Sequence, residues 1–203
     1  MKDMVILVAD KNMEHAIEGL LGRPQALNMR QATYDIYVHS RRDPGCLNEA
    51  HNFLRPFLGA YDHALVMFDH QGCGREQVPP EDLADEVRAR LEQNGWPGQA
   101  EVVVLAPELE VWVWSDSPHV ETCLGWTGHH PPLRVWLADN GHWALDEENP
   151  PRPKETMEAA LREVRKPRSS AIYLELAQRV SLHGHTEPAF VRFTQTLQRW
   201  YAL

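Results

Sequence analysis

Cysteine is scarce in this chain: Cys46, Cys73 and Cys123 stand far apart and form no CxxC pair. An odd, scattered set excludes a disulfide framework and a thiolate zinc site, and suits reduced thiols in a cytoplasm. Long apolar runs are also missing. None approaches the roughly 18 residues that suggest a membrane helix, and the run 5–8 behind Met1-Lys2-Asp3-Met4 is too short for a signal peptide. The expectation is a cytoplasmic protein with no membrane partner. Basic residues are outnumbered too, 20 Lys/Arg against 29 Asp/Glu for a formal charge of −9, which excludes an undirected basic surface for nucleic acid. The imbalance is uneven. Residues 1–150 carry 11 Lys/Arg against 24 Asp/Glu (−13), whereas residues 151–203 carry 9 against 5 (+4), so the phosphate-friendly part is the C-terminal quarter.

What is present fits one folded domain: 203 residues, 43% hydrophobic and 24% charged. Four short runs rich in Val, Ile, Leu, Tyr or Phe, at residues 4–9, 34–38, 64–68 and 101–105, recur about every 30 residues. Between them lie amphipathic stretches such as Met13, Ile17, Leu20 and Leu21, or Leu83, Val87 and Leu91 behind Pro79-Pro80. Strand–helix alternation with continuous apolar strands predicts an α/β fold. Its sheet is mostly parallel and four-stranded, with helices on both faces. After Leu105, tryptophans and prolines mark an irregular middle, mostly core or cover, and residues 140–154 read as a connection. From Lys154 the pattern is helical, with Ser169 and Thr186 as candidate caps. The division expected is an α/β core over 1–117 and a mainly helical extension over 118–203, in a single domain.

In a parallel sheet, polar residues just after the strands converge on one edge, the usual ligand site. Here strand one is followed by Asp10 and Glu14, strand three by Asp69, and strand four by Glu108 and Glu110, with Asp116 further along. Carboxylates gathered from different strands repel one another unless a cation sits among them, and Mg²⁺ or Mn²⁺ is the natural occupant. Against this stands a plainer reading, in which an acid at a strand end caps the helix that follows. The 11 histidines include His129-His130 and His183-Gly184-His185, but neither has the spacing of a zinc site. Cys73, inside Gly72-Cys73-Gly74, is a weak nucleophile candidate with no assignable base.

Read together, Asp10-Lys11-Asn12-Met13-Glu14, Phe68-Asp69-His70-Gln71-Gly72-Cys73-Gly74 and Pro107-Glu108-Leu109-Glu110-Val111-Trp112 resemble the Toprim-like superfamily. They are most similar to small stand-alone Toprim-like proteins of bacterial anti-phage, methylation-associated defence systems. Those relatives read Glu-Gly-x-Thr-Glu after strand one, Asp-x-Asp after strand three, and a Glu-x-Glu-x-Trp segment ending in Asp. Two departures stand out: Asp10 replaces the first Glu, and Asp69-His70-Gln71 replaces Asp-x-Asp.

The resemblance implies a Toprim-like, Rossmann-like core and a divalent-metal-dependent nuclease. Asp10, Glu14 and Asp69 would be its catalytic acids, and Asp10, Glu14, Asp69, Glu108, Glu110 and Asp116 its metal ligands. Arg152, Lys154, Arg168 and Ser169 would hold the phosphates of DNA or RNA. No Walker A motif is present, so ATP-driven motion would fall to a partner such as a separate ATPase. The alternative is an adaptor subunit of a defence complex whose catalytic site has decayed.

Overall fold

A computed structural model of the protein describes residues 1–115, 117–182 and 186–203. Asp116 and the His183-Gly184-His185 cluster therefore lie outside the described residues. Four strands, β1 (Lys2–Val8), β2 (Tyr34–Val38), β3 (Tyr61–Asp69) and β4 (Ala100–Leu105), form one all-parallel sheet in the order β2-β1-β3-β4. β1 and β3 are central, and their middles, Met4–Val8 and Ala64–Phe68, are fully buried. Burial on both faces explains why these strands are continuously apolar.

Helices α1 (Lys11–Leu21), α2 (Arg42–Leu54) and α3 (Pro80–Gln93) connect successive strands. From β1 the chain steps outward to β2, then returns across the sheet to β3 and on to β4. Right-handed crossovers place connections made in opposite directions on opposite faces. Accordingly α2 packs with α3 on one face, and α1 lies on the other. Two short helices, α4 (His119–Leu124) and α5 (Leu133–Asp139), lead into α6 (Pro153–Glu163), α7 (Ser170–Arg179) and α8 (Pro188–Trp200). α7 runs along α1, and α8 packs against β4, where Arg199 and Arg88 pair with the buried Glu101.

Two glycines are required by close approach. A Cβ on Gly19 would stand 2.6 Å from Cβ of Ala177 and 2.8 Å from the Leu174 carbonyl, so glycine lets α1 and α7 touch. A Cβ on Gly45 would lie 2.0 Å from Nδ1 of His39, so the first turn of α2 closes onto the buried His39 only with glycine there. The tryptophans serve as cover. Trp114, Trp126 and Trp143 are buried, and their indole N–H groups donate to the carbonyls of Pro153, Pro131 and Glu147. The cap expected at Thr186 is instead Glu187, whose carboxylate accepts from the amides of Ala189 and Phe190 and from the Trp112 indole. Its longer side chain reaches all three donors.

Candidate carboxylate site

The sheet's direction of travel reverses between β1 and β3, and the crevice outside their C-terminal ends is where open α/β sheets place ligands. Asp10 follows β1 and Asp69 ends β3, one on each side of that crevice. The loops after β3 and β4 are tied together by backbone bonds, His70 N–H to the Leu105 carbonyl (2.7 Å) and Gln71 N–H to the Pro107 carbonyl (2.8 Å). Asp69 Oδ1 in turn accepts from the amide of Leu109 at 2.9 Å. These bonds bring Asp69, Glu108 and Glu110 together, with one carboxylate oxygen of each within 4.8 Å of the others.

A further acid arrives from the far side. Asp43, in the first turn of α2, accepts the Asp69 amide through Oδ1 at 2.8 Å. Burial, and then the carboxylates of Asp43, Glu110, Asp10 and Glu108, raise the Asp69 carboxyl well above its ordinary range. Burial also raises Asp43 and Glu108, the latter against the opposing pull of Lys154. Burial and the neighbouring carboxylates thus both disfavour full ionisation of this edge.

Counter-charge comes from the C-terminal elements. Lys154 donates its amide to Glu108 Oε1 (3.2 Å) and places Nζ 3.6 Å from Oε2. Arg168 donates to Glu110 at 2.7 Å, to Glu158 at 2.8 Å and to the Tyr173 hydroxyl at 2.8 Å. That hydroxyl also donates to Glu110.

The other sequence candidates fall differently. Asp10 caps α1, accepting from the Met13 amide at 2.9 Å, yet its charge is felt at both Asp43 and Asp69. Glu14 pairs with Lys11 at 2.5 Å and lies outside the three-carboxylate group, because position i+4 carries it about 6 Å along the helix, away from the sheet edge. Ser169 occupies the cap position of α7 without a side-chain cap bond, whereas Ser170 bonds Asn12. Arg152 is an exposed residue at the start of α6. Glu76 is occupied by the amides of Gly72 and Gly74, and Cys73 is a buried thiol that burial pushes up. Asp43 is the acid that sequence reasoning missed, although it also follows a strand end.

Beside the carboxylates a cleft of about 450 Å³ opens over the ends of β1 and β2. Its walls include Asp10, Lys11 and Asn12 from the start of α1, Arg42 from α2, and Lys154 with Arg168. No protein-family model, curated protein or solved structure matches the chain.

Proposed function

We propose that this protein is a divalent-metal-dependent nuclease of Toprim type acting in anti-phage defence, with nucleic acid as substrate and further defence components, such as a separate ATPase, as partners. The observation that carries the reading is the convergence of Asp69, Glu108 and Glu110 at the switch point of a parallel sheet, beside a cleft walled by cations. The donor set fits the ion: carboxylate oxygens are the ligands that Mg²⁺ and Mn²⁺ prefer. Oxygens on one octahedral Mg²⁺ lie about 3 to 4 Å apart, so ligands within 4.8 Å need to close by less than about 1–2 Å.

When bound, such an ion supplies Lewis-acid polarisation of a phosphate oxygen and screens charge. Asp69, Glu108 and Glu110 would hold it. Lys154 and Arg168, which border both the glutamates and the cleft, keep those carboxylates in place and present positive charge at the cleft wall to a phosphodiester. Isothermal titration with Mn²⁺, paired with plasmid and RNA cleavage, tests the reading. Wild type should bind and cleave, and Asp69→Asn should lose both; equal Mn²⁺ binding by the two refutes it.

A second reading has its own support. Glu110 is held between Arg168 and Tyr173, and Gln71 stands where the family has a second Asp. These features favour a non-catalytic adaptor that keeps the fold, for which Mn²⁺ titration would show no binding at all.

A further inference from the structure

The cleft's cations differ in what else they do, and the difference separates those that serve the carboxylates from those left for a ligand. Lys154 and Arg168 are engaged with Glu108 and Glu110, and Lys11 pairs with Glu14. Arg42 alone among these four has a guanidinium with no ion pair or hydrogen bond among the described residues. Its backbone is nonetheless held firmly. The Arg42 amide donates to the His39 carbonyl at 3.0 Å, the Arg41 amide donates to His39 Nδ1 at 3.1 Å, and Gly45 seats the turn against that imidazole. Arg42 is thus a fixed attachment point carrying an exposed, uncommitted charge at the wall of a cleft.

Resting on the nuclease reading, we infer that Arg42 is the principal contact to the phosphate backbone of the substrate, and that the strand enters over the ends of β1 and β2. The basic residues of the C-terminal quarter act mainly as counter-ions to the glutamates. An anion drawing Arg168 away would leave the buried Glu110 with the Tyr173 hydroxyl as its side-chain partner among the described residues, whereas Arg42 engages a phosphate without breaking any pair seen among them. Asn12 and Lys11 line the same wall and offer further donors to the same chain of phosphates.

The test uses the full-length protein and a short fluorescein-labelled single strand, DNA and RNA in turn, with affinity measured by anisotropy across a salt series. One lost phosphate contact lowers the slope of log affinity against log salt by about 0.7 for a single strand, which corresponds to about fivefold weaker binding at 0.1 M salt. Arg42→Ala should show both changes, and Arg42→Lys should restore the slope. Arg42→Gly, which deletes the charge while relaxing a backbone at φ +50°, should behave as Arg42→Ala and guards against a folding artefact. Arg162→Ala, in the last turn of α6 and outside the cleft lining, should match wild type. Wild-type affinity and slope in Arg42→Ala and Arg42→Gly overturn the inference while leaving Mn²⁺ binding, and with it the nuclease reading, untouched. Absence of strand binding by wild type itself overturns both.

Discussion

Replacing Asp69 with asparagine should stabilise the protein in metal-free buffer, even though Asp69 lies at the centre of the candidate site. Two unit charges at 4.8 Å, the outer spacing of the Asp69, Glu108 and Glu110 oxygens, repel by about 3.5 kcal/mol at an effective dielectric constant of about 20. Lys154 and Arg168 offset part of this, so removing the Asp69 charge should yield about 2 kcal/mol at a pH where Asp69 is ionised. Asparagine keeps the carbonyl oxygen that accepts from Leu109. For a chain of this length the gain corresponds to a Tm higher by about 4–8 °C. The sign with pH follows from the raised Asp69 carboxyl. The folded state holds that proton more tightly than the unfolded state, so the wild type keeps its full stability near and below the unfolded value of about 4 and loses it as pH rises through the folded value. The two proteins should therefore converge in acid and separate as pH rises. Thermal melts in EDTA across that range provide the measurement, and added Mn²⁺ should raise the wild-type Tm while leaving Asp69→Asn unmoved. A variant less stable than wild type at pH 8 in EDTA, or a pH-independent difference, would refute the reasoning.

Other substitutions probe the framework around the carboxylates. Tyr173→Phe keeps the ring but removes the hydroxyl shared by Glu110 and Arg168, and urea unfolding should show a loss of about 1–3 kcal/mol. Glu187→Ala deprives two α8 amides and the Trp112 indole of their acceptor; the expected cost is about 1–2 kcal/mol, with altered tryptophan emission as a second readout. Gly45→Ala drives a methyl into His39 and should lower the urea midpoint by an equivalent of about 1–3 kcal/mol, so an unchanged midpoint would mean that the ring moves aside freely.

Much of this architecture can be read from the amino acids. The apolar runs at 4–9, 34–38, 64–68 and 101–105 coincide with β1 to β4 to within a few residues; the signal is cleanest in the central β1 and β3, whose middles are buried on both faces and admit no polar interruption, whereas the edge strand β2 is only half-buried and carries Asp35. The helical repeats behind α1, α3, α6, α7 and α8 are equally plain, whereas α4 and α5 are too short to show a period. At the site, Asp69, Glu108 and Glu110 follow from their positions at strand ends. Asp43 does not, since a turn through the left-handed Arg42 separates it from β2 and only the tertiary bond to the Asp69 amide reveals where it points. The same limit hid the pairing of Arg168 with Glu110 and Glu158, partners 58 and 10 residues away that no local pattern connects to it.

The dependence of Glu108 and Glu110 on Lys154, Arg168 and Tyr173 also has a temporal side. A nascent chain is made from its N-terminus and tends to fold in that order. When β4 and the two glutamates have left the ribosome, the residues that balance them are still unmade. The acidic edge must then stay open or protonated until some 60 further residues have been added. Completion of the helical extension, not of the sheet, is thus the step at which the carboxylates acquire their pairing partners, and a translation product stopped between the two would carry Glu108 and Glu110 without them.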